Sequence, residues 1–271
     1  MGALDQMLTS RTGISQWTIT MNNMKPVSRG LAKVGAVVPV SNSNLEPDLV
    51  MMAPPGVSVH FSRSGGYDVN AIPDEQQMRQ YSDAHPTEVV DNLQVCGSDI
   101  VLYGCTSATL AQGPEYDQKF RAEIENRTGL PAISAASALV EVLLATGADQ
   151  FAFTSPYVES LNDIAIEFIE SFGVNCVGRR DTPEPWSNPM VAEAAPDVVI
   201  QMALDADCEA ADAIVISCTD FRAVEAVTEI EQHTGKPVVT SNQAMMALGL
   251  KQLGIGLGDS ILSQHKISNM L

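Results

Sequence analysis

The feature that most limits what this 271-residue chain can fold into is an internal duplication. Ile124-Glu125-x-x-Thr128-Gly129-x-Pro131 returns as Ile230-Glu231-x-x-Thr234-Gly235-x-Pro237, an offset of 106 at every matched position (230 − 124). The apolar run Asp99-Ile-Val-Leu-Tyr-Gly-Cys105-Thr106 returns as Asp212-Ala-Ile-Val-Ile-Ser-Cys218-Thr219, an offset of 113 (218 − 105). The difference of 7 (113 − 106) is one longer loop after Cys105. The polar turns at Asn42 and Tyr157 lie 115 apart (157 − 42), close to the same period. A repeat of this length predicts two equivalent halves, each too large to be a single supersecondary unit.

Within each half the pattern is one of short apolar runs alternating with amphipathic stretches, the signature of an α/β fold with a parallel sheet. Residues 33–40 read as a first buried strand closed by Pro39, followed by the turn at Ser41-Asn42-Ser43-Asn44 and a short helix over 45–52. Val57 to Ser62 reads as a strand, Arg63 to Tyr67 as a flexible glycine-containing loop, and 74–94 as one surface helix. After Cys105 come a helix over 116–127 stopped by Thr128-Gly129, a strand at 130–134 and a small-residue helix over 135–146. The second half restarts with a strand at Gln150. A helix over 159–172, a strand at 174–177, a proline-rich loop carrying Trp186-Ser187-Asn188 and a helix over about 190–208 follow. The expected organisation is an N-terminal extension over 1–30, a first α/β half over 31–148 completed by 240–271, and a second α/β half over 149–239.

Composition excludes several classes of function. A hydrophobic content of 45% and mean hydropathy near zero are those of a globular protein with a real core. The longest apolar runs are strand-length, below the roughly 18 residues of a membrane span. With no charged and apolar leader pattern at the N-terminus, cytoplasmic residence is the expectation. A net charge of −18 argues against nucleic acid and anionic membrane as partners, which basic surfaces hold. The five cysteines form no C-x-x-C pair and have no histidine at ligand spacing, so neither a disulfide scaffold nor a zinc site is expected. No glycine-rich dinucleotide or phosphate-loop motif is present, and no cofactor or metal is expected.

The duplication gives the cysteines their interest. A free cysteine alone is most often a small buried apolar residue, and Cys96, Cys176 and Cys208 are read that way. Cys105 and Cys218 instead stand at equivalent strand ends, each followed by threonine, where open α/β sheets place their ligands. A thiolate on one face of a substrate and a thiol on the other can add or remove a proton from opposite sides, giving isomerisation or inversion without a cofactor.

The ordered series Pro39-Val-Ser-Asn42, Cys105-Thr-Ser, Thr154-Ser-Pro-Tyr157, Ser187-Asn188, Ser217-Cys218-Thr and Ser241-Asn-Gln243 resembles that of maleate cis-trans isomerases in the aspartate/glutamate racemase superfamily, over about residues 33–255. The resemblance implies two pseudo-symmetric Rossmann-like halves, an active site in the cleft between them, a homodimer or homotetramer, and a small carboxylate substrate. It implies that Cys105 adds to the double bond of the cis-diacid, with Cys218 as proton donor and acceptor. It further implies that Asn42, Tyr157 and Asn188 hold the carboxylates, with Thr106, Ser107 and Thr219 adding donors. Read without it, Asn42 suits a turn, Tyr157 packing and Asn188 a helix cap. The chain departs from the pattern at Ser187, where an acidic residue is expected, at Asp220, and in its N-terminal extension. Arylmalonate decarboxylases look similar but carry glycine at the first cysteine, so Cys105 speaks for isomerisation. A racemase, a decarboxylase and a non-catalytic diacid-binding protein are the alternatives.

Overall fold

The computed structural model describes residues 30–83 and 87–269, so all of the N-terminal extension except Gly30 lies outside the described residues. The first sheet contains β1 (Ala32–Pro39), β2 (Val57–Ser64), β3 (Ile100–Tyr103) and β4 (Ala132–Ser134), in the order β2-β1-β3-β4. The second contains β5 (Gln150–Thr154), β6 (Asn175–Arg180), β7 (Ala213–Ile216) and β8 (Val238–Thr240), in the order β6-β5-β7-β8. Every strand pairing is parallel, and the two orders are the same order. The duplication in the sequence is therefore a duplication of topology. The central strands β3 and β7 are buried at every residue, as continuous apolar runs covered on both faces must be.

In the first half, α1 (Leu45–Met52) follows β1, and α2 (Glu75–Asp83) and α3 (Thr87–Val95) follow β2. Next come α4 (Thr106–Leu110) and α5 (Pro114–Thr128) after β3, and α6 (Ala135–Ala145) after β4. In the second half, α7 (Glu159–Glu170) follows β5, and α8 (Asn188–Glu193) and α9 (Pro196–Ala206) follow β6. Then α10 (Val227–Thr234) follows β7 and α11 (Ser241–Gln252) follows β8.

The helices α6 and α11 occupy equivalent places and pack on each other between the sheets, α6 reaching β7 and β8 and α11 reaching β3 and β4. Small buried residues allow it: Ala135, Ala136 and Ala138 on α6, Ala244, Ala247 and Gly249 on α11. Both start under side-chain control. Ser134 accepts from the Ser137 amide (3.0 Å), and Thr240 and Gln243 form a reciprocal capping box. The repeated Thr-Gly stops also match, since Gly129 and Gly235 both take a left-handed conformation (φ 70°) that ends α5 and α10.

Two expected helices differ. The stretch 74–94 holds two helices, with Ala84 to Pro86 between them outside the described residues. The helix expected over 190–208 is broken between α8 and α9, where Pro196 lacks an amide to continue one helix and instead opens the next. Among the described residues no helix is long and apolar enough to cross a membrane.

A tight backbone approach lies just before the first cysteine. A Cβ on Gly104 would stand 2.7 Å from the Val37 carbonyl oxygen and collide with Leu45. Gly104→Ala is expected to cost about 1–3 kcal/mol in urea unfolding through this overpacking; an unchanged midpoint would show that α1 moves away freely.

Candidate active site

Each cysteine is delivered by a central strand. The Gly104 amide donates to the Val37 carbonyl (3.0 Å), extending the ladder of β3, and Cys105 then serves as the extended residue that caps α4 (φ −135°, ψ 101°). In the second half the Ser217 amide donates to the Thr154 carbonyl (3.0 Å), and the Cys218 amide to Ser241 Oγ (3.2 Å). Cys105 is buried and Cys218 partly so, and both line one cavity between the two sheets.

The two halves are laced together at the level of the sulfurs. Thr106 Oγ1 donates to Ser241 Oγ (2.9 Å), and Thr219 Oγ1 donates to the Gly104 carbonyl (2.9 Å). Asn42 Nδ2 donates to Thr219 Oγ1 (3.0 Å), while Asn42 Oδ1 accepts from the amides of Asn44 (3.1 Å) and Leu45 (2.8 Å). Asn242 Nδ2 donates to the Thr219 carbonyl (2.9 Å) and to Asp48 Oδ2 (2.7 Å), whose carboxyl burial pushes up to about 7. A hydroxyl has one proton, so those of Thr106 and Thr219 are committed within the protein, and toward a ligand either oxygen can act only as an acceptor. Tyr157 accepts from Ser217 (3.4 Å), leaving its phenolic proton for Thr106, the Cys218 sulfur or a ligand.

The thiols differ electrostatically. Burial pushes Cys105 up to about 11, opposed by the Ala108 amide and Ser107. Burial pushes Cys218 higher still, the Asp220 carboxylate adds to the rise, and the Cys105 thiolate adds further. The two sulfurs therefore titrate as a coupled pair in which Cys105 ionises first. Asp220 is itself raised to about 6 by burial, against the amides of Ser43 (2.8 Å) and Asn44 (3.1 Å) that its Oδ1 accepts.

The structure brings Asn42, Cys105, Thr106, Ser107, Tyr157, Asn188, Cys218 and Thr219 to this one cavity. Asn188 lies at the start of α8, yet its side chain caps nothing; it donates to the Val69 carbonyl (3.0 Å) and ties the 65–74 loop to the second half. Arg63, near the end of β2, binds the carbonyls of Val40 and Asn42 and pairs with Glu46 (2.8 Å). Sequence reasoning missed the aromatic and apolar wall of Tyr67, Met78, Tyr81, Trp186 and Val191, and it placed Asp220 only as a departure. The Ser41–Tyr67 hydroxyl contact (2.6 Å) and the edge-on Tyr67–Tyr81 pair (5.0 Å) fix that wall. Asp220 had a readable signal, an acid two residues beyond a cysteine; the wall had none, because its members come from four separated segments. Among the described residues no cluster of three or more His, Cys, Asp or Glu could hold a metal ion.

A family model described as arylmalonate decarboxylase matches residues 34–258. A maleate isomerase of Geobacillus stearothermophilus is 26% identical over 236 residues, covering 82% of this chain and 92% of that protein. An arylmalonate decarboxylase of Bordetella bronchiseptica is 27% identical over 244 residues, covering 84% and 87%. Among solved structures, a cysteine-to-serine variant of Nocardia farcinica maleate cis-trans isomerase, with a covalently bound succinylcysteine intermediate, is similar at a TM-score of 0.77 and 23% identity. The match covers 88% of this chain and 100% of that one.

With Cys105 at about 11, roughly one molecule in ten thousand carries its thiolate at pH 7. Alkylation of Cys105 by iodoacetamide in the ligand-free protein is expected to be slow at pH 7 and to quicken about tenfold per pH unit up to pH 9, followed by peptide mass spectrometry. A rate flat across that range would contradict the burial argument.

Proposed function

The chain belongs to the arylmalonate decarboxylase family, and on that premise we propose that it is a cofactor-independent isomerase of a small cis-unsaturated dicarboxylic acid, of the maleate-to-fumarate type. The observation that carries this reading is the presence of two thiols, at equivalent strand ends, on one cavity. A decarboxylase needs one proton donor and has no use for a second sulfur; an addition–elimination isomerase needs both.

In this mechanism Cys105, deprotonated to solvent, adds through sulfur to one alkene carbon. The π electron pair moves to the other carbon, where it takes the Cys218 proton, leaving a saturated thioether and a Cys218 thiolate. The former double bond is now single and rotates. Cys218 then removes a proton from the carbon it protonated, the double bond re-forms in the trans geometry, and the carbon–sulfur bond breaks to return the Cys105 thiolate. Protons and electrons balance over the cycle, and no oxidant or co-reactant is consumed. The assignment of roles rests on electrostatics: Asp220 beside Cys218 favours the protonated sulfur needed in a donor, whereas no carboxylate acts on Cys105. The covalent succinylcysteine in the Nocardia farcinica relative supports the thioether step.

Cys105→Ala and Cys218→Ala are each expected to lower kcat/KM on maleate by roughly a thousandfold or more, since each removes one essential reacting group. Cys218→Ser is expected to accumulate an adduct of one substrate mass on the peptide containing Cys105. Full activity in both alanine variants would end this reading, and carbon dioxide release from substituted malonates would turn it toward decarboxylation.

A further inference from the structure

Among the described residues the wall of the cavity carries one formal charge, and its sign is wrong for a dianion. Asp220 is the charged residue among those described as lining it, and no described lysine, arginine or histidine joins it there. The residue is 8% exposed and its carboxylate is anchored by the amides of Ser43 and Asn44, while its own amide lies 3.4 Å from Cys218 Sγ. Arg63, whose charge reaches Asp220, is already matched by Glu46 and bound to two carbonyls. The donor count points the same way. Thr106 and Thr219 have spent their protons on Ser241 and Gly104, and Asn42 has spent one of its two amide protons on Thr219. Ser107 has likewise spent its proton, on Met78 Sδ (3.0 Å), so all three hydroxyls beside the cysteines are committed within the protein. On the side of Cys218, Thr219 Oγ1 and the Asp220 carboxylate present acceptors.

We infer that Asp220 is a specificity-determining residue, and that the substrate carries a single carboxylate at one end and a hydrogen-bond-donating group, such as a primary amide, at the end facing Asp220. This rests on the isomerase reading for its chemistry and narrows the dicarboxylic acid named there to its half-amide. A second carboxylate would meet a like charge in a largely enclosed site and leave both unpaired, whereas an amide N–H would satisfy Asp220 and Thr219 together. The thiol chemistry is unaltered, because an alkene conjugated to an amide accepts sulfur as one conjugated to a carboxylate does.

The test compares maleate with its monoamide, maleamate, in the wild type and in Asp220→Asn, whose amide oxygen can still accept from Ser43 and Asn44. Turnover is followed by the NMR signals of the alkene protons. The wild type is expected to favour maleamate by at least about tenfold in kcat/KM, and Asp220→Asn to erase that preference by raising the rate on maleate. A wild type that handles maleate as well as maleamate, or a ratio unchanged in Asp220→Asn, would overturn the role of Asp220 and leave the isomerase reading standing. The wild-type ratio decides the matter if the variant does not fold. Should neither alkene turn over, the isomerase reading fails, and calorimetric binding of succinate against succinamate then judges Asp220 alone. Preference for succinamate that is lost in Asp220→Asn would sustain the inference; equal binding, or none of either, would end it.

Discussion

Two hydrogen bonds crossing from the loops of one sheet to those of the other, Thr106 to Ser241 and Thr219 to the Gly104 carbonyl, are what the site depends on. Each joins the residue after one cysteine to the loop that positions the other, so neither sulfur can shift without dragging its counterpart. Buried hydroxyl contacts of this kind contribute only about 1 kcal/mol each to stability, yet an unpaired partner costs more, and that asymmetry enforces a single geometry. The packed pair α6 and α11 serves the same end from behind, since Ser241, on which both Thr106 and Cys218 draw, opens α11. The cost of the arrangement is polar: hydroxyl protons used to hold the halves together are unavailable to a ligand, which is why so few donors are left for a carboxylate.

Much of the fold could be read from the sequence because it was written twice. Parallel burial of β3 and β7 follows from apolar runs with no alternation, and the glycine stops at Gly129 and Gly235 follow from a left-handed position that β-carbons resist. The helix breaks were missed where a proline sat inside a pattern otherwise suited to one long helix, as at Pro196, which can end one helix or begin the next. The meeting of the cysteines was legible because duplicated strand ends must face a common cleft, whereas that of Asn42, Tyr157 and Asn188 was implied by the family resemblance alone. The direction in which a side chain spends its proton was not. That Asn188 holds the Val69 carbonyl, and that Arg63 is tied to the main chain, are facts of tertiary distance with no local pattern to announce them.

The repeat also carries its own exception. Cys105-Thr106-Ser107 and Cys218-Thr219-Asp220 agree at two positions and part at the third. A pair of identical halves would present a substrate with two interchangeable sulfurs, and nothing in such a site could decide which of them leads. Ser107 and Asp220 lift that degeneracy with one side chain in each half: a neutral hydroxyl on one side, a carboxylate on the other. The pseudo-two-fold arrangement that builds the cleft is thus kept by the strand order and broken by chemistry, and the division of labour between two like sulfurs is set by the unmatched side chain that stands beside each of them.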